Sequence, residues 1–209
     1  TELDEGARPT GHPAIHVVPT AIAQAQATVA SGADCVRAIV LGYEAQARLQ
    51  RACTLRPGVH CHGNLGNVAA ITAHAALSGW SGPRLAAGLI AAAAFAATTT
   101  YDLCYAGATV RNAAPAVSAQ TALLARRLVE SGFSAWDGSV VQVFGSVLGD
   151  SFTPAELVKG LGEGWSISDN YVKFHAACGH THPVLDSLRA AFDGLDRDAE
   201  YPWSIRVPF

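Results

Sequence analysis

The 209-residue chain has no methionine, not even at its start, and only 15% of its residues are charged, with a net charge of −3. So weak a field, without any concentrated positive patch, argues against a nucleic-acid partner or an anionic membrane surface. No long hydrophobic run exists either: Leu85 to Ala97 is the longest, mostly alanine, and falls well short of the roughly 20 residues that cross a bilayer. Its composition predicts a buried helix. The cysteines are few and odd in number, Cys35, Cys53, Cys61, Cys104 and Cys178, with no C-x-x-C among them, which predicts reduced thiols in a cytoplasmic setting rather than disulfides. No basic, then apolar, leader opens the chain. The opening TELDEGARPTGHP reads as the middle of a loop, so the numbering is expected to begin inside a longer protein.

What is present is apolar and helical. Half of the residues are hydrophobic, enough for a substantial core. Pro19 and Gly32 bracket an alanine- and glutamine-rich segment with Ile22 and Val29 on one side, predicting a helix between them. From Asp34 to Cys53, Val36, Ile39, Val40, Tyr43 and Ala47 recur at helical spacing, with Arg37, Glu44, Arg48 and Arg51 opposite. Asn64 to Leu77 and Leu85 to Ala97 predict two more helices, the second apolar on nearly every face and so expected at the centre of a bundle. Pro115 opens a helix expected to stop at Gly132, and Thr153, Pro154 and Glu156 suggest a capping box for a short one. Beyond Gly164 the texture shifts to strand (Trp165 to Phe174), helix (Pro183 to Phe192) and strand (Trp203 to Phe209). The expected fold is therefore mainly α: a large all-helical domain over residues 1–164, then the start of a smaller α/β lid over 165–209.

The eight histidines carry most of the chemical promise. His12 sits between Gly11 and Pro13, His60 and His62 lie among glycines, and His180 and His182 flank Thr181. All fall in loops or at helix starts, where a rigid scaffold presents functional groups. The H-x-H pairs invite a zinc-hydrolase reading, but His60 is not preceded by the apolar strand such a site needs, and Glu2, Asp4 and Asp102 lack a metal-ligand spacing. Arg111, in a loop ahead of a helix, and Lys173, in YVKFH, could hold a carboxylate, arginine in bidentate fashion, or could equally be surface cations. No G-x-S-x-G is present, and Cys61 between two histidines makes no dyad by sequence alone.

Taken in order, the segments ELDEG, GHPAIHVVPTA, AIVLGYEAQARLQRA, GVHCHGNLGNVAAITAHAALSG, GATVRNAAPAVSAQTALLARRLVESGFSA and YVKFHAACGHTHPVLDSL resemble the MmgE/PrpD family from one end of the chain to the other. The resemblance implies a helical domain with a smaller α/β lid, a homodimer, no metal or organic cofactor, and a cleft that works on small polycarboxylic acids by dehydration, decarboxylation or epimerisation. It implies catalytic roles for Glu2, Asp4, His12, His60 and Lys173, and substrate binding by Arg111, His180 and His182. Three positions depart from the family pattern: Glu2 stands where aspartate is common, Arg111 where lysine is, and Ala114 where a histidine is. An arginine keeps its charge and so binds a carboxylate, but it is no proton donor. Full members are about twice this length, which leaves room for the reading that this chain is only a helical scaffold or dimerisation core.

Overall fold

The computed structural model describes residues 3–9, 11–193 and 195. Glu2 and the strand expected at Trp203 to Phe209 lie outside them.

The chain opens with a two-residue strand, β1 (Glu5–Gly6), and then enters α1 (Pro13–Thr28). Pro13, not Pro19, is the proline at the helix start, where its missing N–H costs nothing. Pro19 lies inside α1, which holds because Val17, Thr20, Ala21, Gln24 and Ala25 are buried along one face. That burial also explains why Ile22 and Val29 are exposed rather than inward-facing. Val29 ends the helix in the left-handed conformation, φ 53°, with the Ala30 N–H bonding to the Ala25 carbonyl at 2.9 Å. Gly32, expected to follow a helix end, instead opens α2 (Gly32–Ala52), whose cap is Ser31 accepting from the Asp34 N–H at 3.1 Å.

The predicted faces of α2 are corrected. Tyr43 and Ala47 are buried as expected, but Val36 is exposed and Glu44 and Arg48 are buried. The reason is tertiary: the segment at residues 157–166 lies over the charged face. Arg48 pairs with Glu44 at 2.7 Å and donates to the carbonyls of Leu157, Lys159 and Gly160 at 3.2, 2.9 and 3.2 Å. Glu44 in turn accepts the Ser166 N–H at 2.7 Å. Burial would raise its carboxyl, yet the Ser166 bonds and Arg48 leave it below the usual range. A periodicity argument assigns such residues to solvent because it cannot see the loop that satisfies them.

After β2 (Cys53–Leu55) comes α3 (Gly66–Leu77), buried without interruption from Gly66 to Ala75. It is the central helix, packed by α1, α2, α4 (Gly82–Ala94) and α6 (Ala114–Glu130). The expectation that the alanine-rich run would be central is thus corrected, since α4 buries only Gly88, Ala91, Ala92 and Ala93. Alanine is a good helix former that is tolerated on a surface, so a run of it marks helix more reliably than depth.

A short α5 (Tyr101–Tyr105) and a 3-10 turn, Thr109–Ala113, lead into α6 (Ala114–Glu130). Pro115 starts α6 and Gly132, at φ 84°, follows its end, as predicted. The single turn α7 (Ser139–Gln142) precedes β3 (Gly149–Phe152), which pairs antiparallel with β2. The capping box at Thr153 is not formed: only the Glu156 N–H to Thr153 carbonyl bond is made, at 3.0 Å, and α8 (Ala155–Val158) is one turn long. The strand expected over Trp165 to Phe174 reduces to a 3-10 turn, Ser166–Asp169, and the two residues of β4 (Tyr171–Val172). Among the described residues its strand partner is β1, in the register Glu5 to Val172 and Gly6 to Tyr171. Helix α9 (His182–Phe192) closes the described chain. The fold is mainly α, as expected, with the strands acting as staples.

Candidate active site

The pairing of β1 with β4 decides where chemistry gathers. Asp4 precedes β1 and Lys173 follows β4, so antiparallel register sets them side by side, and the Lys173 N–H extends the ladder to the Asp4 carbonyl at 3.0 Å. Glycine at position 6 leaves room for the Tyr171 ring, which a Cβ there would meet at 2.1 Å. Lys173 Nζ meets Asp4 Oδ1 at 2.6 Å, with side chains 4% and 5% exposed. The surface-lysine alternative is therefore corrected. An ammonium has three donors, so pairing with Asp4 does not exhaust it. Loss of the lysine would strand a buried carboxylate, at a cost of about 3–5 kcal/mol.

The other oxygen of Asp4 lies 3.4 Å from His12 Nδ1. The same nitrogen is 2.5 Å from the main-chain carbonyl of Glu5. A carbonyl only accepts, so in the neutral ring Nδ1 carries the hydrogen and Nε2 carries the lone pair of a base. His12 occupies the N-cap position of α1, which fixes its backbone by the same helix start that seats Pro13.

His60 and His62 enter from the loop between β2 and α3. That loop is tied down by its own polar groups: Asn64 donates to the His60 carbonyl at 2.7 Å, its oxygen accepts the Leu65 N–H at 2.7 Å, and the His60 N–H bonds to the Thr99 carbonyl at 2.9 Å. The Thr99 hydroxyl donates to the His62 carbonyl. Ring centroids lie 4.3 Å apart for His60 and His62, 5.1 Å for His12 and His62, and 5.7 Å for His16 and His62. The Tyr101 ring sits 4.5 Å from that of His60. His16, one turn beyond His12, donates from Nδ1 to the His12 carbonyl at 2.9 Å, and reaches this group because Gly66 has no Cβ, which would stand 2.1 Å from its ring.

Burial keeps these rings neutral. It lowers His16 to about 4 and His60 to about 4, Arg111 and His12 adding to the effect on His60, and it pushes His62 lower still. The His62 N–H donates to His60 Nδ1 at 3.0 Å, so neutral His60 holds its hydrogen on Nε2. The neutral His12 ring thus has its lone pair on Nε2, whereas the neutral His60 ring has its hydrogen there.

Among the described residues, His60, Cys61 and His62 form the one group whose ligand atoms lie close enough to share a metal ion, all within 4.8 Å. Its chemistry fits poorly. His60 Nδ1 is occupied by a backbone N–H, which places the ring hydrogen on the nitrogen a metal would need. Burial raises the Cys61 thiol to about 12, whereas a metal binds thiolate.

Arg111 lies in the 3-10 turn before α6, and its charge helps hold His60 and His62 neutral. Ala114, where the resemblance led one to look for a histidine, is buried at the start of α6. His180 is exposed. His182 packs against His175 with ring centroids 5.0 Å apart, and His175 bonds Asp186 at 2.6 Å. The described contacts of this second histidine group stay within its own segment.

Sequence reading named Asp4, His12, His60, Arg111 and Lys173 but missed His16, Glu5 and Tyr43, and left His62 out of the site. His16 had a signal, since i and i+4 share a helix face. Glu5 had none: its carboxyl accepts the Ala14 N–H at 2.5 Å and the Tyr43 hydroxyl at 3.2 Å. Burial raises it to about 7, against the lowering by those two bonds.

The family description that matches is the MmgE/PrpD N-terminal domain, over residues 6–145. A comparison with curated proteins gave no match. A match across well over half of the chain, in the region that supplies His12, His60 and Arg111, establishes that the chain belongs to the MmgE/PrpD family.

Proposed function

We propose that the chain carries the catalytic groups of an enzyme that removes a proton next to a carboxylate of a small polycarboxylic acid, finishing the reaction as a dehydratase-type lyase. The observation that carries this reading is Asp4, whose two oxygens face Lys173 at 2.6 Å and His12 at 3.4 Å in a largely buried setting. A carboxylate behind Nδ1–H stabilises the imidazolium that forms when Nε2 takes a proton.

In this reading the carbon–hydrogen bond electrons pass into the neighbouring carboxylate to give an enolate. His60 Nε2–H and the Arg111 guanidinium hold its oxygens, and a donor fixed in a dry site is worth more there than in water. Collapse of the enolate expels the adjacent hydroxyl, which takes the proton back from His12 and departs as water. The base is regenerated and the balance closes: one acid in, one unsaturated acid and one water out. Epimerisation would instead return the proton to the opposite face of the same carbon, and decarboxylation would begin from the same stabilised charge. Family likeness also supports a cytoplasmic homodimer.

The test is incubation of the protein in D2O with cis-aconitate, 2-methylcitrate and related acids, followed by proton NMR. Deuterium entering next to a carboxylate, with gain or loss of water, is expected for at least one acid. Silence with all of them would remove the enzymatic reading in favour of a helical scaffold.

A further inference from the structure

Glu5 is a buried acid beside the site that the proposed chemistry does not use. Its carboxyl spans two elements, accepting the Ala14 N–H in the first turn of α1 at 2.5 Å and the hydroxyl of Tyr43, from α2, at 3.2 Å. Its main-chain carbonyl is the acceptor for His12 Nδ1 at 2.5 Å. Side chain and carbonyl of one residue thus grip the two ends of the turn from β1 into α1, with His12 between them.

We infer that Glu5 is a positioning residue for His12: its side chain locks the turn so that its carbonyl selects the ring form with hydrogen on Nδ1 and the base on Nε2. The inference rests on the proposed role of His12 only for its effect on turnover, because selection of the ring form is a property of the resting protein.

The physical case is one of distance. Among the described residues two acceptors face His12 Nδ1, the Glu5 carbonyl at 2.5 Å and Asp4 Oδ2 at 3.4 Å, and both favour hydrogen on that nitrogen. Asp4 is already held at its other oxygen by Lys173 and stands beyond normal hydrogen-bond length from the ring, so the nearer carbonyl makes the main bond. A free imidazole prefers the opposite tautomer only slightly, and one hydrogen bond is enough to reverse it. That carbonyl stays in place only while the turn does. On the β4 side the pairing of Glu5 with Val172 fixes the strand; on the helix side the Ala7 N–H bond to the Gly11 carbonyl at 2.9 Å closes the turn before His12, and the Glu5 carboxyl ties the strand on to Ala14 in the first turn. Burial that brings this group to about 7 means that a neutral amide resembles the native form closely: its oxygen can accept from Ala14 and its NH2 can face Tyr43.

The experiment is nitrogen-15 NMR of the His12 ring in the full chain, the resonance assigned by its loss in His12→Asn. Native protein and Glu5→Gln are expected to show hydrogen on Nδ1 alone. Glu5→Ala is expected to show a mixture, with at least a third of the other tautomer, and Glu5→Asp, one methylene too short to reach Ala14, a smaller shift the same way. A pure Nδ1–H signal in folded Glu5→Ala would overturn the inference. If that variant does not fold, the same result in Glu5→Asp would overturn it. For turnover, Glu5→Ala should lower kcat about tenfold with KM within twofold, and Glu5→Gln should restore it. An inactive protein whose tautomer still follows Glu5 would sink the proposed reaction while leaving the positioning role intact.

Discussion

The chain contains two H-x-H pairs that look alike on paper, His60 with His62 and His180 with His182, and the fold treats them in opposite ways. The first is buried, its rings stacked edge to face with one another and with His12. The second opens α9, with His180 exposed and His182 resting on His175. Spacing is identical; what differs is what lies over it. The first loop faces the start of α1 and the turn before α6, where a glycine at 66 admits the His16 ring. The second pair belongs to a segment whose described contacts are its own. A histidine motif gains chemical meaning from its surroundings, because desolvation and a fixed partner, not the ring itself, set its tautomer and charge.

The contrast predicts acid sensitivity first. His16 and His60 are held near 4 in the folded chain against about 6.5 unfolded, so the unfolded state binds more protons between those values. Stability from these rings is full above pH 6.5 and is lost as pH falls toward 4. For His16, which is fully buried, the loss is roughly 3 kcal/mol. Glu5, raised from 4.5 to about 7, works the other way, losing its contribution as pH rises through that window. It is one group against several. Urea midpoints measured at pH 7 and pH 4.5 should fall with acid. A flat profile would mean that the first histidine group is wetter than its geometry.

Turnover follows. His60→Ala is expected to lower kcat about a hundredfold, the usual scale for a lost acid–base or donor group. Equal activity in this variant and the native chain would erase the distinction between the two pairs. Lys173→Ala should cost at least tenfold and also lower the melting temperature, since Asp4 loses its 2.6 Å partner; thermal unfolding and kinetics on one preparation check both. The smallest effect belongs to the second pair: His180→Ala should leave kcat within twofold, and a larger loss would show that α9 reaches the substrate after all.

How far the sequence alone could see is instructive at the level of particular residues. Helices α2, α3 and α6 were legible because apolar spacing, Pro115 and Gly132 are local signals. The burial of Glu44 and Arg48 was not, because it depends on carbonyls more than a hundred residues away along the chain, such as Leu157 and Lys159. The ranking of α3 over α4 as the central helix was also hidden, since both are rich in alanine and only packing distinguishes them. In the site, the roles of His12, His60 and Lys173 follow from likeness to a family, while nothing in the ELDEG stretch marks Glu5 apart from its neighbours.

The sequence by itself determined the helical class, the family and the supply of imidazoles and cations, since these follow from composition and from local patterns along the chain. Only the tertiary structure decided which of them meet. Pairing of β1 with β4 sets Asp4 beside Lys173, and the start of α1 sets His12 against the loop of His60 and His62. The physical reason is that proximity between distant residues, and the burial that tunes their protons, are properties of packing and are written in no single stretch of sequence.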